Sequence, residues 1–218
     1  MRKYFLMAVL LLIGESSALA QECCPSKEIF LGYSYFNASA TGDRISSNQF
    51  TSRYGLNGTG ASFAWNRSPK LGFIGNFSYN ARKSTIGEAV IGGVTIGEAK
   101  SKLRNYTLLF GPQFSARSSD TNYFLHVMAG MIIKQAELSG AINPDNPAMT
   151  VNLKSTSTNL ALGIGGGFDM HVARHLSLRL FQLDYIPSRV EKDTLDGKAW
   201  NHNFRLQAGI LISWGLAK

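Results

Sequence analysis

Asn203-Phe204-Arg205-Leu206-Gln207-Ala208-Gly209-Ile210-Leu211-Ile212-Ser213-Trp214 decides how the rest of this chain is read. Phe204, Leu206, Ala208, Ile210, Ile212 and Trp214 fall on one parity, and Asn203, Arg205, Gln207, Gly209, Leu211 and Ser213 on the other. A period of two over so long a run is a strand with one apolar and one mostly polar or small face. A strand of about 9 to 11 tilted residues crosses a bilayer when its apolar face meets lipid and its polar face an enclosed lumen. The segment therefore reads as the closing strand of a transmembrane barrel.

Upstream, Arg2 and Lys3 precede an apolar run from Tyr4 to Ile13, and Ala18-Leu19-Ala20 follows. Basic, apolar and small residues in that order make a secretory signal peptide over 1–20, with cleavage expected before Gln21. Residues 21–27 then form a short periplasmic segment and 28–218 the barrel. No other apolar run approaches the length of a spanning helix, so closed β-structure is the way across a membrane. The chain of 218 residues carries a net charge of +8, with Arg2, Lys3 and Glu15 of the leader contributing +1 of it. The basic residues are scattered through loops and turns, which disfavours nucleic acid as a partner. Both cysteines, Cys23 and Cys24, are adjacent. Neighbouring Cα atoms lie about 3.8 Å apart, too close for an unstrained bridge, so free thiols or a bond to another chain are expected.

In chain order, Ile29, Leu31, Tyr33 and Tyr35 alternate with Phe30, Gly32, Ser34 and Phe36, a first strand with a bulky lumen side. Ala61, Phe63 and Trp65 mark the second, and Leu71, Phe73, Phe77 and Tyr79 the third. Tyr106 to Phe114 is the fourth, though Pro112 removes a ladder hydrogen bond. Tyr123 to Ile133 on odd positions is the fifth, and Leu160 to Val172 on even positions the sixth. Leu176, Leu178 and Leu180 open a seventh whose parity changes to Leu183 and Tyr185, so a β-bulge is expected near Phe181 or Gln182. Short turns are expected at Asn66–Lys70, Arg117–Thr121 and Ala173–His175. Longer loops are expected at Ala38 to about Gly58, Arg82 to about Leu103 with a hairpin over Val90 to Ile96, Gly140–Thr156, and Pro187 to about His202. Alternating short turns and long loops are the pattern of outer-membrane barrels. The prediction is an all-β, eight-stranded, antiparallel, up-and-down transmembrane barrel.

Several stretches carry a family resemblance: Glu28-Ile29-Phe30-Leu31-Gly32-Tyr33-Ser34-Tyr35, the strand from Asn57-Gly58 to Asn66, Gly165-Gly166-Gly167-Phe168-Asp169, Leu178-Arg179 with Asp184-Tyr185, and Asn203-Phe204-Arg205-Leu206 with Ala208-Gly209-Ile210. With them the mature chain resembles the small bacterial outer-membrane β-barrel domain family, related in shape to the OmpA class. The resemblance implies an outer-membrane location, contact with outer-membrane lipid and lipopolysaccharide, insertion by the barrel-assembly machinery, and a monomer. Such chains often end on an aromatic residue read by that machinery, whereas here Gly215-Leu216-Ala217-Lys218 follow Trp214.

The inward charges of the last three strands are the candidate site. Asp169 and Arg179 each stand five residues from a turn centred on Arg174, so a hairpin sets them opposite each other near the periplasmic end. Asp184 and Arg205 flank the last loop and meet higher in the lumen. A charge facing lipid at the midplane costs about 2–4 kcal/mol for Arg, so inward pairing is expected. His175 and Ser177 have a base–nucleophile spacing but lie at a periplasmic turn, and His126 and His171 face the lumen with no serine at matching spacing. Catalysis, a cofactor and a metal are not expected; His171 and His175 do not converge across a turn. The glycines at 163, 165, 166 and 167 leave room beside Phe30, Phe36, Phe124 and Phe181. The expected function is structural or surface-interacting, with a polar, plugged lumen and exposed loops. Rival readings are a lipid A-modifying enzyme and a soluble lipocalin-like barrel, which would turn the apolar faces inward.

Overall fold

The computed structural model describes residues 24–39, 53–86, 89–91, 94–96, 99–143, 146–190 and 199–215. Ten strands follow one another: β1 (Lys27–Ser39), β2 (Arg53–Asn66), β3 (Leu71–Ile86), β4 (Ala89–Ile91), β5 (Val94–Ile96), β6 (Ala99–Arg117), β7 (Thr121–Asn143), β8 (Asn146–Ala173), β9 (Leu176–Val190) and β10 (Ala199–Trp214). Eight of them close into a barrel in the order β1-β10-β9-β8-β7-β6-β3-β2, while β4 and β5 pair as a separate hairpin. Every barrel pairing is antiparallel, and β1 joins β10 from Lys27↔Trp214 to Asn37↔Phe204. Closure leaves the barrel wall no free edge, as an element surrounded by lipid requires.

The register is staggered around the barrel. From Phe36 it passes through Arg205, Asp184, Gly165, His126, Gln113, Gly72 and Asn66. It then returns to β1 at Ser26, whose carbonyl accepts from Asn66 N at 2.8 Å. Such a stagger tilts the strands by about 35–45° and narrows the interior to the width of its own side chains.

The alternation seen in the sequence sorts side chains as read. Leu125 is 67% exposed, Leu160 72% and Ile164 57%, with Leu31, Phe63, Phe77, Phe110, Leu206 and Ile210 exposed on the same outer face. A protein surrounded by water does not keep so continuous an apolar girdle. Aromatic residues edge it on both sides: Trp65, Phe73, Phe114, Tyr123 and Trp214 toward the short turns, Tyr33, Tyr79, Tyr106, Tyr185 and Phe204 toward the long connections. Aromatic rings favour the two membrane interfaces because they have an apolar body and a polar tip. The inward-facing apolar arrangement of a lipocalin-like barrel is thus contradicted.

Two expectations are corrected. Where they are described, the predicted loops are strand: β3 runs to Ile86 and β6 starts at Ala99, β7 and β8 continue to Asn143 and Asn146, and β9 and β10 reach Val190 and Ala199, while 40–52 and 191–198 lie outside the described residues. Alternation fades beyond the girdle, but backbone pairing continues without it. Second, Phe181 lies outside the barrel, 49% exposed and stacked on Phe168. The bulge responsible is where expected: β9 pairs Phe181 with Phe168 but Arg179 with Asp169, leaving Leu180 as the extra residue. The expected loss at Pro112 is observed: β6 runs through it, and pairing with β7 skips Gly111 and Pro112 between Phe110↔Ala129 and Gln113↔His126.

Above the girdle β8 pairs with β9 only as far as Ala161↔Ser188, and β3 with β2 only as far as Asn57↔Ala81. Beyond those points β3, β6, β7 and β8 continue as an open four-stranded sheet rising from one side of the barrel.

Candidate functional site

The lumen is filled from the short-turn end upward by paired charges. Lowest, Arg117 Nη2 donates to Glu28 Oε1 at 2.6 Å, and Asn66 Nδ2 donates to the same oxygen at 3.1 Å. These groups come from β6, β1 and β2, so the contact crosses the barrel rather than following a hairpin.

One layer up, Arg179 grips Asp169 with two donors, Nε to Oδ1 at 2.7 Å and Nη2 to Oδ2 at 3.1 Å. Asn122 Nδ2 adds a third hydrogen bond to that carboxylate at 3.2 Å. The guanidinium lies between two rings, 4.7 Å from the Phe30 centroid and 4.2 Å from that of Phe124. A planar, weakly hydrated cation tolerates burial in this way where an ammonium would not.

Gln182 links this layer to the next. It accepts from Arg179 Nη1 at 2.7 Å and donates from Nε2 to Asp184 Oδ2 at 2.9 Å. Asp184 Oδ2 also accepts from Arg205 Nε at 2.9 Å and Nη2 at 2.8 Å, and Arg205 Nη1 reaches Ser78 Oγ at 3.1 Å. His126 Nε2 donates to the remaining oxygen, Asp184 Oδ1, at 2.7 Å. Three arginines thus balance three carboxylates, all buried. Burying a charge is costly unless it is paired and its remaining sites are hydrogen-bonded, and this network meets both conditions for Asp184.

The structure therefore brings Asp169 to Arg179 and Asp184 to Arg205, and joins the two pairs through Gln182. The sequence reading did not reach Glu28, Arg117, Gln182 or His126 as members; inward parity was the available signal for each, but their partners are on distant strands. It also placed His171 without a serine, whereas His171 Nδ1 lies 2.7 Å from Ser177 Oγ across the β8–β9 turn. His175 instead donates from Nδ1 to the Ser213 carbonyl at 3.1 Å, so it is not the partner of Ser177. Ser177 is 2% exposed, which leaves its hydroxyl no room for a substrate.

Polar side chains continue into the upper lumen, where Asn80, Asn105, Ser188 and Asn203 are buried. Among them, toward the long connections, Phe36, Leu56, Leu109, Met128, Ile132, Ala161 and Ile186 form one buried apolar cluster. It sits above the charges because Ile186 follows Asp184 on β9 and Ile132 lies beyond His126 on β7. Glycines make the fit possible. A Cβ at Gly165 would lie 2.2 Å from Asp184 Oδ1, and one at Gly167 2.6 Å from Phe124 Cζ.

Cys24 is buried with a free thiol, and Cys23 falls outside the described residues, as does the predicted leader. Among the described residues no group of three His, Cys, Asp or Glu is placed to hold a metal.

No protein-family model and no curated protein matches the chain. Among solved structures it is similar to Ail, the attachment invasion locus protein of Yersinia pestis. The match is at 16% identity and a TM-score of 0.50, covering 87% of this chain and 100% of that one. The same protein in complex with the heparin analogue sucrose octasulfate matches at 16% identity and a TM-score of 0.51, over 85% and 97% of the two chains. In fold, then, this chain is an eight-stranded barrel of the small outer-membrane type.

Proposed function

We propose that the protein is a sealed barrel of the bacterial outer membrane whose work is structural and interactive: it braces the envelope and carries a rigid β-extension outward. The observation that supports this best is the combination of an apolar outer girdle with an interior filled by its own side chains. Asp169–Arg179 and Asp184–Arg205 then serve as internal braces that replace water in the lumen, and Phe36, Ile132 and Ile186 close the upper part against ions. In this reading the protein is monomeric and non-catalytic, is delivered by the 1–20 leader and inserted by the barrel-assembly machinery.

Two measurements test it. After cell fractionation the protein belongs in the outer-membrane fraction, and on a gel its apparent size shifts only after boiling. Recovery from the soluble periplasm, or a band indifferent to heating, refutes the proposal.

A further inference from the structure

The outward face of the β3-β6-β7-β8 extension changes character abruptly above the upper aromatic edge. Tyr79 and Tyr106 are register partners there, with rings 5.1 Å apart, and Ile133 continues the row. Four residues further along the strands the row on the same face is Lys83, Lys102, Glu137 and Lys154. The next is Thr85, Lys100, Ser139 and Asn152. Arg104 on the intervening row donates to Glu137 at 3.2 Å, and Lys154 Nζ lies 3.7 Å from the same oxygen. Among the described residues, five cations on this face are thus answered by one carboxylate. These rows line an open cleft of about 490 Å³.

Four residues of a tilted strand climb about 10 Å. That step takes the lysine backbones to just beyond the headgroup zone, which adds roughly 5–8 Å to each side of a bilayer, and their long stems let the ammonium groups reach back down into it. The cations are on the lipid-facing side of the sheet, not over the lumen, so an anion bound there has acyl chains directly beneath it. Neighbouring strands are about 4.8 Å apart, which spreads the lysines over the width of a sugar headgroup with more than one phosphate. We propose that this face binds a phosphorylated, acylated glycolipid of the outer leaflet, its phosphates on Lys83, Lys100, Lys102 and Lys154 and its acyl chains along Tyr79, Tyr106 and Ile133. The proposal rests on the outer-membrane reading above and names the lipid site within it.

The test uses the full mature chain folded into phosphatidylcholine vesicles doped with bisphosphorylated lipid A, with dephosphorylated lipid A or with neither. The wild type retains the bisphosphorylated form through detergent washing, and added salt weakens retention. At roughly fivefold per lysine, the triple variant Lys83→Ser/Lys102→Ser/Lys154→Ser loses about a hundredfold in affinity. Its heat-modified gel shift is unchanged, because the replaced side chains are outside the barrel wall, and a triple arginine variant keeps binding. Equal retention of the dephosphorylated lipid, unaltered binding by the serine variant, or displacement by inorganic phosphate at the concentrations at which lipid A itself competes each overturns the lipid site while leaving the barrel intact. Failure of the wild type to enter the vesicles at all instead overturns the outer-membrane reading beneath it.

Discussion

Arg179 meets Asp169 because of one extra residue in β9. Without the bulge at Leu180, Phe181↔Phe168 would continue as Leu180↔Asp169, and Arg179 would face lipid. With it, Arg179 and Asp184, whose separation of five would otherwise set them on opposite faces, both point inward. Bulges re-aim side chains in this manner and deepen local twist. Here the bulge turns a liability in the membrane into an internal brace.

If that brace is energetic, breaking one side of it is costly. Asp169→Asn leaves the Arg179 guanidinium 2% exposed and without its counter-charge, so folding in detergent or vesicles weakens by about 3–5 kcal/mol. The double variant Asp169→Leu/Arg179→Met recovers most of that loss, since neither charge is then buried alone. Urea unfolding followed by the heat-sensitive gel band measures both, and additive losses in the double variant would rule out the pairing.

Gly165 is set against Asp184 too closely for any side chain. A Cβ there would lie 2.5 Å from the Leu183 carbonyl as well as against the carboxylate, and backbone cannot yield as a flexible chain end does. Gly165→Val is expected to cost at least about 1–3 kcal/mol through overpacking. A drop in the urea midpoint of the gel-shifted form checks this, and an unchanged midpoint contradicts it.

Near the centre of the girdle, Val127 is 52% exposed on the outer face. Val127→Arg places a cation in hydrocarbon and is expected to cost about 2–4 kcal/mol in vesicles, whereas Leu125→Arg, next to the Tyr123 edge, costs less. Reversible folding in phosphatidylcholine bilayers separates the two. A barrel in water would give a different result, with both exchanges neutral or favourable.

The apolar cluster over the charged layers predicts electrical silence. Planar bilayers containing the wild type show no discrete current steps, and Arg205→Ala alone does not introduce them while Phe36, Ile132 and Ile186 remain. Steps in the wild type would mean that the upper lumen opens and would remove the sealing role.

Period-two alternation was enough to read the barrel strands, their lipid-facing side, the three short turns and the bulge, because these depend on residues close together in the chain. It also made Asp169–Arg179 and Asp184–Arg205 legible, since each pair faces across a hairpin. Beyond the girdle the pattern gave no guidance: no polarity difference between the faces marks a strand, and the extensions of β3, β6, β7 and β8 were read as loops.

Contacts that cross the barrel were beyond local reading. Glu28 and Arg117 are 89 positions apart, and Arg205 and Ser78 are 127 apart. Parity says only that such residues face inward; which of them share a height depends on the stagger accumulated around all eight strands. For the same reason the apolar upper plug was invisible, since its members come from six strands, with no more than two from any strand on an otherwise mixed inner face. Local alternation thus settles which way a side chain points, whereas what it touches is decided only when the sheet closes and its tilt fixes the height of every residue.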